Sequence, residues 1–202
     1  MSIFIFTFFI TAFSIVIDPG HGGEDCGICS QEFSEKEMTL KMANLLKDEL
    51  MEFDLYLTRE EDYSVPQEER VGYANGKGGL FISLHINSSF SNSLSGTIIY
   101  TPSVSPQDCD GISLIPWEMA NACGMEETEK LALRVKEELE KFRNVVIQKA
   151  NLFLLTGLKV PGILVEVGFH NEKELISEAF LKDFIKHLGY GIRRYIHERE
   201  NE

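Results

Sequence analysis

The chain has 202 residues, 44% of them hydrophobic and 25% charged, a balance that suits one packed domain with a sizeable core. Its formal charge is -13, with 32 acidic against 19 basic residues, which excludes a nucleic-acid partner because a polyphosphate needs a basic stripe. Neutral, cationic or metal-linked partners remain.

Met1 to Ser14 is almost wholly apolar and uncharged, and Ala12 and Ser14 put small residues before a cut at Ile15. Residues 1–14 thus read as a signal peptide, which implies a periplasmic or extracellular protein. The stretch lacks a basic n-region, so an extra N-terminal strand or a mis-assigned start codon stays open. From Ile3 to Ile17 the apolar run is about 15 residues, short of the roughly 20 that span a bilayer, so no stable membrane span is expected.

Ile15 to Ile17 is a β-branched run that reads as a buried strand, and Pro19 is expected to end its ladder. His21 follows between Gly20 and Gly22-Gly23, where the backbone leaves room for a ligand; it reads equally as a turn residue bonding its own backbone. Ser34 to Glu37 has the form of a capping box, and Met38, Met42, Leu45, Leu46, Leu50 and Phe53 continue it at helical spacing. A strand at Leu55 to Thr58, a helix through Glu68 to Asn75, and a buried strand at Leu80 to Leu84 that terminates at His85 come next. Gly96 to Thr101 gives a further strand.

Periodicity breaks down between Pro102 and Glu127, a stretch with three prolines and the lone Trp117, which predicts a loop or insertion at about 102–127. Thr128 to Phe142 resumes helical spacing. Strands are expected near Val145 to Ile147, Leu152 to Leu155 and Ile163 to Val167, and an amphipathic helix carries Leu181, Phe184, Leu188, Ile192 and Tyr195. Four cysteines, Cys26, Cys29, Cys109 and Cys123, permit three pairings. They read as structural disulfides or inert thiols, with a Cys26-x-x-Cys29 redox pair or half of a zinc knuckle as alternatives, although the 13 residues between Cys109 and Cys123 fit no common finger spacing.

Alternating apolar strands and amphipathic helices predict a single α/β domain with a mostly parallel twisted sheet covered by helices on both faces. Ligands gather beyond the carboxyl ends of such strands. His21, His85 and Glu166 would therefore meet at one sheet edge. Two imidazoles and a carboxylate form the ligand set of a catalytic zinc, and Glu35, in the first turn after the His21 loop, is the best oxygen donor, with Glu37 and Glu32 as competitors. Glu35 reads equally as an acid stabilised by the helix N-terminus. Glu166 interrupts an apolar strand; it is either an outward-facing residue or a buried acid able to take a proton from water and return it to a leaving amine.

Ile15-Val16-Ile17-Asp18-Pro19-Gly20-His21-Gly22-Gly23, Glu35-Lys36-Glu37, Leu57-Thr58-Arg59 with Arg70 and Ala74-Asn75, Phe81-Ile82-Ser83-Leu84-His85-Ile86-Asn87-Ser88, and Pro161 to Phe169 run in one order along the chain. In these segments the chain resembles the zinc-dependent N-acetylmuramoyl-L-alanine amidases of bacterial cell walls, over residues 15–199. The resemblance implies that His21, Glu35 and His85 bind Zn2+, that Glu166 is the catalytic acid/base, and that the substrate is peptidoglycan, cut between N-acetylmuramic acid and L-alanine. Arg59, Arg70, Asn75 and Asn87 also match, holding either substrate or structure.

The 102–127 segment varies in length among these amidases, and in some it carries a helix that covers the site until an activator protein displaces it. The resemblance thus raises an activator as a partner, although the segment here reads as too short for such a lid; Trp117 lines the cleft or anchors the loop. His170-Asn171 stands where the family has an apolar residue, a small hydroxyl residue and then asparagine. His170 is either near the cleft or, as favoured, a loop residue before a helix capped by Asn171 with Glu174. A catalytically silent peptidoglycan-binding domain and a zinc peptidase of other specificity are the competing functions.

Overall fold

The computed structural model of the chain describes residues 13–31, 33–89, 91, 94–103 and 125–202. Residues 1–12, Glu32, Cys109, Trp117 and Cys123 lie outside them, as does most of the expected 102–127 loop. One six-stranded sheet runs in the order β2-β1-β3-β6-β4-β5. Its strands are β1 (Ser14–Pro19), β2 (Asp54–Leu57), β3 (Leu80–Asn87), β4 (Thr97–Thr101), β5 (Val145–Lys149) and β6 (Gly162–Phe169). Every pairing is parallel except β4 with β6. The expected single α/β domain with a mostly parallel sheet is what forms.

Alternation along β1 and β3 feeds two cores. Ile15, Ile17, Ile82, Leu84, Val165 and Val167 face α1 (Glu35–Glu49), α3 (Met125–Leu139) and α5 (Glu178–Glu200) in a large cluster. Val16, Phe81 and Leu164 face α2 (Gln67–Lys77) and the short α4 (Phe153–Thr156) in a smaller one. Strands buried on both faces are therefore mostly apolar along their length, without regular polar alternation. Among the described residues no helix is long and apolar enough to cross a membrane.

Five local expectations are corrected. β1 continues through Pro19, which pairs with Leu84. Ile17 O points at β2 and accepts from Thr58 N, so by the two-residue period the Pro19 nitrogen points to the side where β2 has already ended, and its missing N–H costs no ladder bond. Leu152 to Leu155 is no strand: Leu155 N and Thr156 N both donate to Leu152 O, and the turn packs Leu154, Leu155 and Leu158 into the smaller core. Helix α3 begins at Met125, inside the expected loop, and ends at Leu139 rather than Phe142.

Asn171 caps nothing, because a 3-10 turn at Lys173–Ile176 intervenes and Ser177 caps α5. Ser34 makes no side-chain cap on α1. Cys26 O and Ile28 O take the Lys36 and Glu35 N–H groups instead, so the loop satisfies the helix end that the capping box was expected to serve. At the other boundary, Phe13 packs against the larger core and Ser14 pairs with Asp54.

Candidate active site

The loop after β1 is held from below by buried charge. Asp18, fully buried, receives Arg70 Nη1 at 2.7 Å and Ser83 Oγ at 2.7 Å. Arg70 also donates to Pro19 O and His21 O, and fully buried Arg59 donates to Pro19 O and Gly20 O. Both arginines therefore clamp backbone carbonyls, which decides their role as structural. Asn75 likewise joins α2 to Gly157 O and Lys159 N.

This clamp fixes His21 at φ 61, the lone non-glycine residue with positive φ among those described. The unusual backbone presents the ring to α1 and β3. Its Nδ1–H donates to Asp25 Oδ2 at 2.9 Å, while Nε2 lies 3.1 Å from Glu35 Oε1. His85 reaches the same oxygen from β3, Nδ1 to Oε1 at 3.3 Å. Ligand atoms of His21, Glu35 and His85 all lie within 4.8 Å of one another. His85 sits inside β3 rather than beyond its end, but β1 pairs only as far as Leu84, which frees the imidazole over Gly20. A Cβ on Gly20 would lie 2.3 Å from His85 Cε1, so glycine is required there by contact rather than by backbone angle.

Glu35 is nearly fully buried. Burial opposes its ionisation, but His21, His85 and the Ile86 and Ile28 N–H groups outweigh that and hold the carboxyl far below its usual value. His21 shows the counterpart: burial disfavours its charge, and Glu35 and Asp25 raise its pKa above the ordinary imidazole value. A carboxylate kept ionised between two imidazoles is a site arranged for a cation. Donor separations of 3.1 and 3.3 Å match about 3.3 Å between neighbouring ligands of a tetrahedral zinc with bonds of about 2.05 Å. Glu37 is exposed and turned away.

Glu166 stands on β6 opposite His85 on one side and Ile98 on the other. Its Oε2 is buried and has no hydrogen-bond partner among the described residues. Burial pushes its pKa up to about 7, with His85 and His21 opposing and Glu35 assisting. Glu166 is half-buried and interacts electrostatically with His85, Glu35 and His21, but does not belong to the converging set.

The sequence profile of the N-acetylmuramoyl-L-alanine amidase family matches residues 15–198. The chain belongs to that family. The amidase AmiC of Neisseria meningitidis serogroup B is 29% identical over 90% of this chain, which spans only 52% of that relative's length. The solved amidase of Clostridium difficile 630 superposes with a TM-score of 0.77 at 22% identity, covering 94% of this chain and 99% of that one. The CwlD amidase of Clostridioides difficile, solved in complex with the GerS lipoprotein, gives 0.75 at 21%, covering 92% and 99%.

Against the amidase pattern, His170 is the notable departure. Its N–H donates to Asn87 O, its Nδ1 is buried without a partner among the described residues, and it lines a cavity of about 300 Å³ with Ile28, Cys29, Phe33 and Lys173. That cavity shares Ile28 with the Glu35 carboxylate. Sequence reasoning missed Asp25 and Asp18. An acid four residues past a loop histidine reads as solvated, and nothing in the composition shows that it orients the ring.

Proposed function

We propose that this chain is a zinc-dependent N-acetylmuramoyl-L-alanine amidase acting on peptidoglycan in the cell envelope, with a catalytic domain over residues 15–199 behind a signal peptide at 1–14. The observation that carries the reading is the convergence of His21 Nε2, His85 Nδ1 and Glu35 Oε1 near Glu166, whose Oε2 is buried without a partner among the described residues, in a chain matched by the amidase family. His21, Glu35 and His85 would hold the zinc. When bound, it supplies Lewis-acid polarisation of the scissile carbonyl and a lowered pKa for the attacking water.

Glu166 takes the proton of the attacking water and delivers it to the L-alanine nitrogen as the amide bond breaks. Burial holds the Glu166 carboxyl above its usual value in the metal-free site, which favours a group able both to take and to give a proton. Asp25 keeps the His21 ring turned with Nε2 inward by accepting from Nδ1. The precedent of CwlD with its lipoprotein makes an activating protein part of the proposal.

Purified sacculi digested by the zinc-loaded protein should release stem peptides beginning with L-alanine, identified by mass spectrometry, and a chelator should stop the release. Glu166→Gln should lower the rate by about 10²- to 10⁴-fold and leave zinc affinity unchanged. A folded, zinc-loaded protein that releases no such peptide refutes the proposal.

A further inference from the structure

Cys26 and Cys29 are joined by a disulfide inside the loop that connects His21 to Glu35. The two residues it encloses touch the ligand cluster. A Cβ on Gly27 would lie 2.5 Å from Glu35 Oε2 and 2.6 Å from His21 Cδ2, so the Gly27 backbone rests against both side chains. Ile28 N donates to Glu35 Oε2 at 2.9 Å, and Ile28 O and Cys26 O cap the first turn of α1 by accepting from Glu35 N and Lys36 N. The strip from Cys26 to Cys29 therefore orients the carboxylate and anchors the helix that carries it.

Gly27 holds a φ of 62, a conformation that glycine leaves freely once the strip is not closed on itself. Cys29 is exposed and lines the cavity beside Phe33 and His170, which opens its sulfur to attack, while Cys26 is half-buried. We infer that Cys26–Cys29 is a redox modification site, the substrate of a protein dithiol, and that its reduction releases the Gly27–Ile28 strip from Glu35. The inference that zinc affinity falls with it rests on the proposed ligand role of Glu35.

The exchange is balanced: a thiolate of the dithiol attacks Cys29 Sγ, and Cys26 leaves as a thiolate that takes up a proton. The second thiol of the partner then closes its own disulfide and releases Cys29, so two electrons and two protons pass to this chain.

The test uses the whole protein, untreated and after reduction by a trialkylphosphine, which becomes the phosphine oxide with oxygen from water as the two thiols form. Peptide mapping of the untreated protein should find Cys26 linked to Cys29. Ile28 amide exchange, measured without zinc, should accelerate at least about tenfold on reduction, and zinc affinity by chelator competition should weaken by about 10- to 100-fold, the range seen when groups that orient a ligand are lost. The Cys26→Ser/Cys29→Ser double variant should match the reduced protein and ignore the phosphine.

Linkage of either cysteine to Cys109 or Cys123, or Ile28 exchange unchanged by reduction, overturns the inference. Absence of zinc binding in both states would sink the functional proposal alone, because Ile28 exchange still decides this one. If the double variant does not fold, the phosphine series on the wild-type protein decides the matter by the same two readouts.

Discussion

Gly20→Ala isolates the placement of His85 from every other property of the site. Gly20 does not have a positive φ, so alanine fits its backbone, and its N–H to Leu84 O at 3.0 Å is untouched. The added methyl would stand 2.3, 2.5 and 2.7 Å from His85 Cε1, Nε2 and Nδ1, so the flat of the imidazole has to retreat. Reaching an ordinary carbon contact of about 3.5 Å requires a displacement of about 1 Å. That shift pulls Nδ1 out of reach of Glu35 Oε1, now 3.3 Å away, and misplaces the proposed ligand.

A misplacement of about 1 Å is worth about 10²-fold in rate, and overpacking costs about 1 to 3 kcal/mol of stability. The assay pairs sacculus digestion with chelator competition and a thermal melt. Gly72→Ala is the control, since nothing lies within 4 Å of its Cβ; in a helix interior it should stabilise by about 0.5 to 1 kcal/mol with the rate unchanged. Wild-type turnover and zinc affinity in a folded Gly20→Ala protein would refute the argument that Gly20 exists to seat His85.

Asp25→Asn removes the charge that turns His21, and because Asp25 is itself largely exposed the loss of zinc affinity should sit near tenfold, read by chelator competition. Arg70→Ala leaves Asp18 buried without its cation and takes the donor from His21 O, while Arg59 still holds Pro19 O, so urea unfolding should show a loss of about 3 to 5 kcal/mol. Glu127 tests pH dependence away from the site. Burial pushes its carboxyl up, but Tyr195 OH at 2.6 Å, then Lys130 and Arg199, hold it below the usual value. A depressed folded pKa contributes stability above the unfolded carboxylate value and loses it as pH falls through the folded one. Glu127→Gln should cost about 1 kcal/mol or less at pH 7, a difference that vanishes on acidification; a constant difference from pH 7 to pH 3 would contradict the assignment.

The strands were legible because burial on both faces leaves runs dominated by apolar residues, as in Ile15 to Ile17 and Leu80 to Leu84. The candidate histidines were legible because each follows an apolar run with a polar ring, and the fold brings both within reach of Glu35. Leu152 to Leu155 misled for the same reason, since an apolar run of four residues carries no period to separate strand from turn. Ser34 misled because its capping box is a local pattern, whereas the groups that cap α1 come from Cys26 and Ile28 on the preceding loop. Arg59 and Arg70 read equally as holding substrate or structure until the fold places them beneath the His21 loop, where their partners are carbonyls that no sequence pattern marks.

Those partners explain why the site tolerates so many glycines. Gly20, Gly22, Gly23 and Gly27 would each meet a side chain or backbone within 2.6 Å if they carried a Cβ, so the loop is packed, with freedom only in its dihedrals. A flexible backbone pressed against ligands must be restrained by something else. Arg59 and Arg70 restrain the segment up to His21 through its carbonyls, and Asp18 pairs with the charge of Arg70. That clamp does not reach Gly27, which lies beyond the exposed turn at Glu24 and Asp25. The Cys26–Cys29 bond closes the remaining stretch, so one half of the ligand loop is held by buried arginine–carbonyl hydrogen bonds and the Asp18–Arg70 pair, and the other by a covalent link open to solvent. Only the second half can be loosened by chemistry that leaves the fold intact, and it is the half that holds Glu35.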